Sequence, residues 1–140
     1  MAPGAWLAVW ALAGGAAAPA TGQCNQQELA KIVASDPDNV DNFGFAVSVS
    51  GDTMVVGAYQ DDHAGGTNAG SAYVFVLAGG VWTEQQKLTA PDAAPDDQFG
   101  NSVAISGDTV VIGAHDDDHS GEFFAGSAYV FVRASGVWTE

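Results

Sequence analysis

Large apolar side chains recur at every second residue from Phe43 through Phe45 and Val47 to Val49, with Gly44, Ala46, Ser48 and Ser50 between them. A period of two with one large and one small face is the pattern of a β-strand. Gly51-Asp52 follows, a pair suited to a tight hairpin turn because glycine tolerates positive φ. Thr53 to Ala58 is a short unbroken apolar run, as expected of a strand covered on both faces. After a polar, glycine-rich stretch from Tyr59 to Gly70, Ser71 to Leu77 sets Tyr73 and Phe75 on one side and Ala72, Val74 and Val76 on the other. Ala78-Gly79-Gly80 then turns into a fourth strand, Val81 to Thr89. Its Thr83, Glu84, Gln85, Gln86 and Lys87 suit the outer edge of a sheet. Pro91 and Pro95 fall in the connector Ala90 to Gln98, where proline removes no ladder hydrogen bond.

The pattern then starts again 56 residues on. Phe43-Gly44 meets Phe99-Gly100, Ser50 to Thr53 meets Ser106 to Thr109, and Gly57-Ala58 meets Gly113-Ala114. Asp61-Asp62-His63 meets Asp117-Asp118-His119, and Ala69 to Val76 meets Ala125 to Val132 without a mismatch. Roughly two-thirds of the positions from Phe43 to Glu84 are identical to those from Phe99 to Glu140. The register also reaches upstream, where Glu28, Lys31, Ile32, Ala34, Asp36 and Asp41 match Glu84, Lys87, Leu88, Ala90, Asp92 and Asp97.

Four antiparallel strands per unit, the inner ones covered on both faces, describe an all-β protein built of β-propeller blades. A stack or solenoid of sheets is the alternative architecture. Residues 23–42 are expected to be the end of a preceding blade with its connector, 43–98 one blade, and 99–140 a second blade cut short in its last strand. Rings need about four to eight blades, so the chain reads as an N-terminal fragment of a longer protein, or else as one that self-associates.

Charge and the first residues narrow the setting. Three basic residues, Lys31, Lys87 and Arg133, face seventeen acids, for a formal net charge of −14. Such a surface repels nucleic-acid phosphates and anionic lipid headgroups, so neither is an expected partner. Residues 1–22 carry no charged side chain, and Trp6 to Ala18 is almost wholly apolar. This run is too short to span a bilayer, and Ala18-Pro19-Ala20 fits the small-x-small pattern of a signal-peptidase site. A secreted or cell-surface location follows, with no membrane insertion beyond the signal peptide. Cys24 is the single cysteine, so there is no internal disulfide, and a free or intermolecular thiol is expected.

The polar loops hold the candidate chemistry. Asp61, Asp62 and His63, repeated as Asp117, Asp118 and His119, bring carboxylates beside an imidazole. The first suit Ca²⁺ and the second Zn²⁺. Adjacent residues rarely all aim at one ion, so a solvated acidic loop is the competing reading. Phe123 and Phe124 stand where the first copy has Thr67 and Asn68. Such a pair reads either as a partner contact or as packing on a neighbouring blade. Neither G-x-S-x-G nor H-E-x-x-H occurs, and a non-enzymatic chain without a resident cofactor is expected.

Phe-Gly opening one strand, Gly-Ala closing the next, and Gly-Ser-Ala-Tyr-Val-Phe after them resemble the FG-GAP repeat. Its motif positions here are Phe43, Gly44, Gly57 and Ala58, then Phe99, Gly100, Gly113 and Ala114. Ser71 to Phe75 with Gly80-Val81-Trp82, and Ser127 to Phe131 with Gly136-Val137-Trp138, look like the bacterial-type variant in particular. The resemblance implies a seven-bladed propeller like that of integrin α subunits, extracellular and used for adhesion or other protein binding. It also implies a calcium loop between the Phe-Gly and Gly-Ala strands. That place is held by Ser50-Gly51-Asp52-Thr53 and Ser106-Gly107-Asp108-Thr109, where one aspartate cannot supply the six to eight oxygens that Ca²⁺ takes. The expected function is a binding scaffold that recognises a protein or glycan through its loops. The alternatives are the propeller module of a larger extracellular enzyme and a self-associating surface or matrix protein.

Overall fold

The computed structural model describes residues 28–140; the expected signal peptide and Cys24 lie outside the described residues. Eight strands form two sheets: β1 (Ala46–Ser50), β2 (Thr53–Ala58), β3 (Ser71–Ala78) and β4 (Val81–Leu88), then β5 (Phe99–Ser106), β6 (Thr109–Ala114), β7 (Ser127–Ala134) and β8 (Val137–Thr139). Each sheet is a four-stranded antiparallel meander in chain order. Both are β-propeller blades of the expected kind. Ser50 pairs directly with Thr53, so the place of the integrin-type loop is a two-residue turn whose first residue, Gly51, has φ 57°.

The alternation read for the first strand breaks at its start. Gly44 has φ 93° and its N–H bonds to the Gly57 carbonyl at 3.1 Å, so regular pairing begins only at Ala46. The twist separates two residues expected on one face. Phe43 turns its ring edge onto Tyr73 and Phe75, with centroids 5.4 and 6.1 Å away. Phe45 lies outward against Tyr59, 4.6 Å away. The second blade repeats the device as a bulge between Phe99 and Ser102, which sends Phe99 onto Tyr129 and Phe131.

The blades share one core. Val55, Ala72 and Val74 of the first pack with Phe99, Ile112 and Phe131 of the second, and Val103 and Ile105 close its side. The small face of β1 lies against β5: the hydroxyls of Ser48 and Ser50 accept hydrogen bonds from the N–H groups of Ile105 and Gly107, at 3.2 and 3.1 Å. At the outer rim Gln86 of β4 clasps the backbone of Trp138 in β8. Its amide donates to the Trp138 carbonyl and accepts from the Trp138 N–H, each at 2.9 Å. A second cluster fills the other side of the first blade. There Ile32 and Ala34 pack with Val56, Tyr73 and Phe75, as Leu88 and Ala90 do against the second blade.

Candidate binding face

The meander puts the short β1–β2 and β3–β4 turns at one end and the long segments at the other. That long-loop end carries the 59–70 and 115–126 loops with the connectors 36–42 and 89–98, and most of the acids. Inside it the aspartates fasten the loops. Asp61, only 2% exposed, accepts a hydrogen bond from the Ser71 hydroxyl at 2.5 Å and an ion pair from Lys87 Nζ at 2.8 Å. The same amine lies 2.7 Å from Asp36 and 5.1 Å from the centre of the Tyr73 ring. Tyr73 in turn donates to Asp36 at 2.9 Å. In the second blade Asp117 accepts from Ser127 and Asp92 from Tyr129 at 2.9 Å. No lysine of the described residues reaches that pair.

The three residues of each Asp-Asp-His run part company. Asp61 and Asp117 turn inward, as above. Asp62 and Asp118 reach across their own loops to the N–H groups of Asn68 and Phe124, each at 2.7 Å. His63 accepts from the Gly65 N–H through Nδ1 and donates from Nε2 to the Gly70 carbonyl, both at 3.0 Å, while His119 is exposed. Among the described residues no group of three or more His, Cys, Asp and Glu side chains is placed to hold a metal ion. Phe123 and Phe124 stand outward, 81% and 70% exposed. In the first blade the backbone at their places is held by the next connector: Thr67 and Asn68 offer their carbonyls to the N–H groups of Asp96 and Gln98. The Thr67 side chain stays exposed beside that connector, so the position of Phe123 faces outward even in a blade with a successor. Between the 63–65 turn and Thr89 to Ala93 runs a shallow cleft of about 360 Å³.

Sequence reasoning passed over Lys87, Asp36, Asp41 and Asp97 as functional or structural centres, although their recurrence was visible. Buried Asp41 and Asp97 cap the connectors by accepting from the N–H groups of Asp38 and Ala94, each at 2.6 Å. Burial, joined by the charges of Asp117, Asp92 and Asp118, pushes the Asp97 carboxyl up, against the Ala94 hydrogen bond. For Asp36, burial alone raises the pKa, but the hydrogen bonds from Lys87 and Tyr73 outweigh it and hold the carboxyl below its usual value. Burial likewise works against the charged Lys87 amine, yet its bonds to Asp36 and Asp61 hold it well above the usual range. A depressed carboxyl contributes stability that is present above its ordinary pKa of about 4 and lost as the pH falls through the folded value. A raised amine contributes stability that is complete below about pH 10 and lost only as the pH rises through its folded value. Thermal unfolding followed across acid pH is therefore expected to show an acid limb below about pH 4 that Asp36→Asn diminishes. An unchanged limb in that variant contradicts the assignment.

A family model described as the FG-GAP repeat matches residues 27–75 and 82–131, most of the chain. The chain belongs to the FG-GAP repeat family. No curated protein matches it. The match over 82–131 begins in the outer strand of the first blade, β4, and ends in the third strand of the second, at Phe131 in β7, just as the match over 27–75 ends at Phe75 in β3. The unit matched over 82–131 thus straddles two sheets, and its Phe99-Gly100 meets the Gly57-Ala58 of the preceding unit across that junction. A Cβ on Gly57 would overlap the Gly100 carbonyl, and one on Gly100 would overlap the Ser71 carbonyl. Gly57 and Gly100 of the family motif stand where the backbones of neighbouring blades touch.

Proposed function

We propose that this FG-GAP chain is a secreted or cell-surface, non-enzymatic binding scaffold that takes a protein or glycan on its long-loop end. The observation that carries this reading is where the two copies differ. Strand β3 and its counterpart β7 agree at every position from Ser71 to Val76, whereas Tyr59, Gln60, Ala64, Gly66, Thr67 and Asn68 are all replaced in the second copy. A constant framework under variable loops is the usual arrangement of a recognition module. The replacements include two outward aromatic rings, the side-chain type that anchors contacts at the centre of interfaces and stacks on apolar faces. The cleft beside His63 adds a concave element to the same end.

The test is binding of the purified chain to an array of immobilised glycans and extracellular-matrix proteins. Binding is expected, and the double change Phe123→Ala with Phe124→Ala should weaken it at least tenfold, about the effect of losing one aromatic anchor. Because both rings are exposed, the variant should unfold at the same temperature as the parent. No binding to the array, or binding indifferent to the two rings, overturns the proposal.

A further inference from the structure

Parts of the junction between the blades are repeated on the outer sides of both, where no other described residue covers them. On the first blade Val47 and Val49 correspond to Val103 and Ile105, which close the shared core. Val47 is 56% exposed, and with Val49 and Phe45 it forms an apolar strip on β1. On the second blade Val111 and Val130 correspond to Val55 and Val74, both fully buried in the junction. Val130 is 48% exposed, beside Val132 and Val137. One outer side therefore presents the half of the junction that the other outer side lacks.

We propose that two copies of this chain join head to tail, the β1 side of one seated on the β6–β7 side of the other as the second blade is seated on the first. The occupant follows from continuity with the internal junction: Val47, Val111 and Val130 repeat Val103, Val55 and Val74 of that junction, and Val49 differs from Ile105 by one methylene. Charge supports the same register. In the first blade Lys87 neutralises Asp36 and Asp61, while Asp92 and Asp117 hold no lysine among the described residues. Their charge is felt by Tyr129, raised by burial and then by Asp92, Asp117 and Asp97. Lys31 lies one period before Lys87, so Lys31 of the second copy falls at the amine position of the second blade. The contact is heterologous, and such contacts close into rings or run on as filaments.

Light scattering on the full chain, coupled to size separation, tests this at concentrations up to ~0.1 mM, well above a micromolar Kd. Closed species of a few copies are expected. Val47→Asp and Val130→Asp each disable one side without touching the core, and each variant alone should be monomeric with unchanged circular dichroism. Mixed together they retain one good junction and should give a dimer and nothing larger. Lys31→Glu should weaken assembly of the otherwise unaltered chain at least tenfold. A monomer throughout the range, assembly that survives both valine changes, or a mixture that stays monomeric overturns the head-to-tail junction; indifference to Lys31→Glu overturns its register.

Discussion

Gly100→Ala is expected to lower the unfolding temperature by roughly 12 °C or more, the shift that about 3 kcal/mol produces in a domain of this size. Two effects combine. Gly100 has φ 90°, a conformation that costs an L-residue about 1–2 kcal/mol. The new methyl would also drive into the Ser71 carbonyl and lie 3.3 Å from the Ala58 nitrogen, and overpacking of this kind costs about 1–3 kcal/mol. Neither obstacle is a side chain that can swing aside. The chain holds its own control, because Gly44 is the equivalent residue of the first blade, with φ 93°, and a Cβ there meets nothing within 4 Å. Gly44→Ala should show the backbone strain alone, less than half the loss. Calorimetry on the two variants separates the terms, and equal losses would contradict the junction described above.

Lys87→Met should be at least as damaging. It keeps the aliphatic stem but removes the cation facing Asp61, whose side chain is 3% exposed, and Asp36. Breaking one side of a buried ion pair costs about 3–5 kcal/mol, because the remaining charge is left without compensation. Adding Asp61→Asn should return part of that loss, since an amide oxygen still accepts the Ser71 hydroxyl without carrying charge. Denaturant titration of the single and double variants gives the comparison. A double variant less stable than the single one would show that the Asp61 carboxylate stabilises the loop without the amine, through the hydrogen bond it accepts from Ser71.

The strands were legible because their pattern is local. Thr53 to Ala58 and Ser71 to Val76 announce themselves by apolar content and alternation, and the fixed 56-residue spacing places them in blades. What escaped was non-local. Phe43 and Phe45 sit two residues apart and so read as one face, but the positive φ of Gly44 sends one inward and the other out. The Asp-Asp-His run read as a possible set of ligands because its members are adjacent. In the fold each takes a separate task, decided by partners up to 26 residues away, such as Lys87 for Asp61. The family glycines were visible as a motif, while their purpose appears only where Gly57 meets Gly100 across two sheets.

That an FG-GAP unit reaches across two sheets and touches the unit before it bears on how such a chain changes length over generations. A recombination that drops or copies 56 consecutive residues of the repeats rejoins the chain in phase, since every Phe-Gly still follows the preceding Gly-Ala at the repeat spacing. Slippage by any other number separates a Phe-Gly from the Gly-Ala it must touch. Selection on this architecture therefore sees blade number as a quantity that steps by whole units, with the loops free to diverge once a new unit is in place.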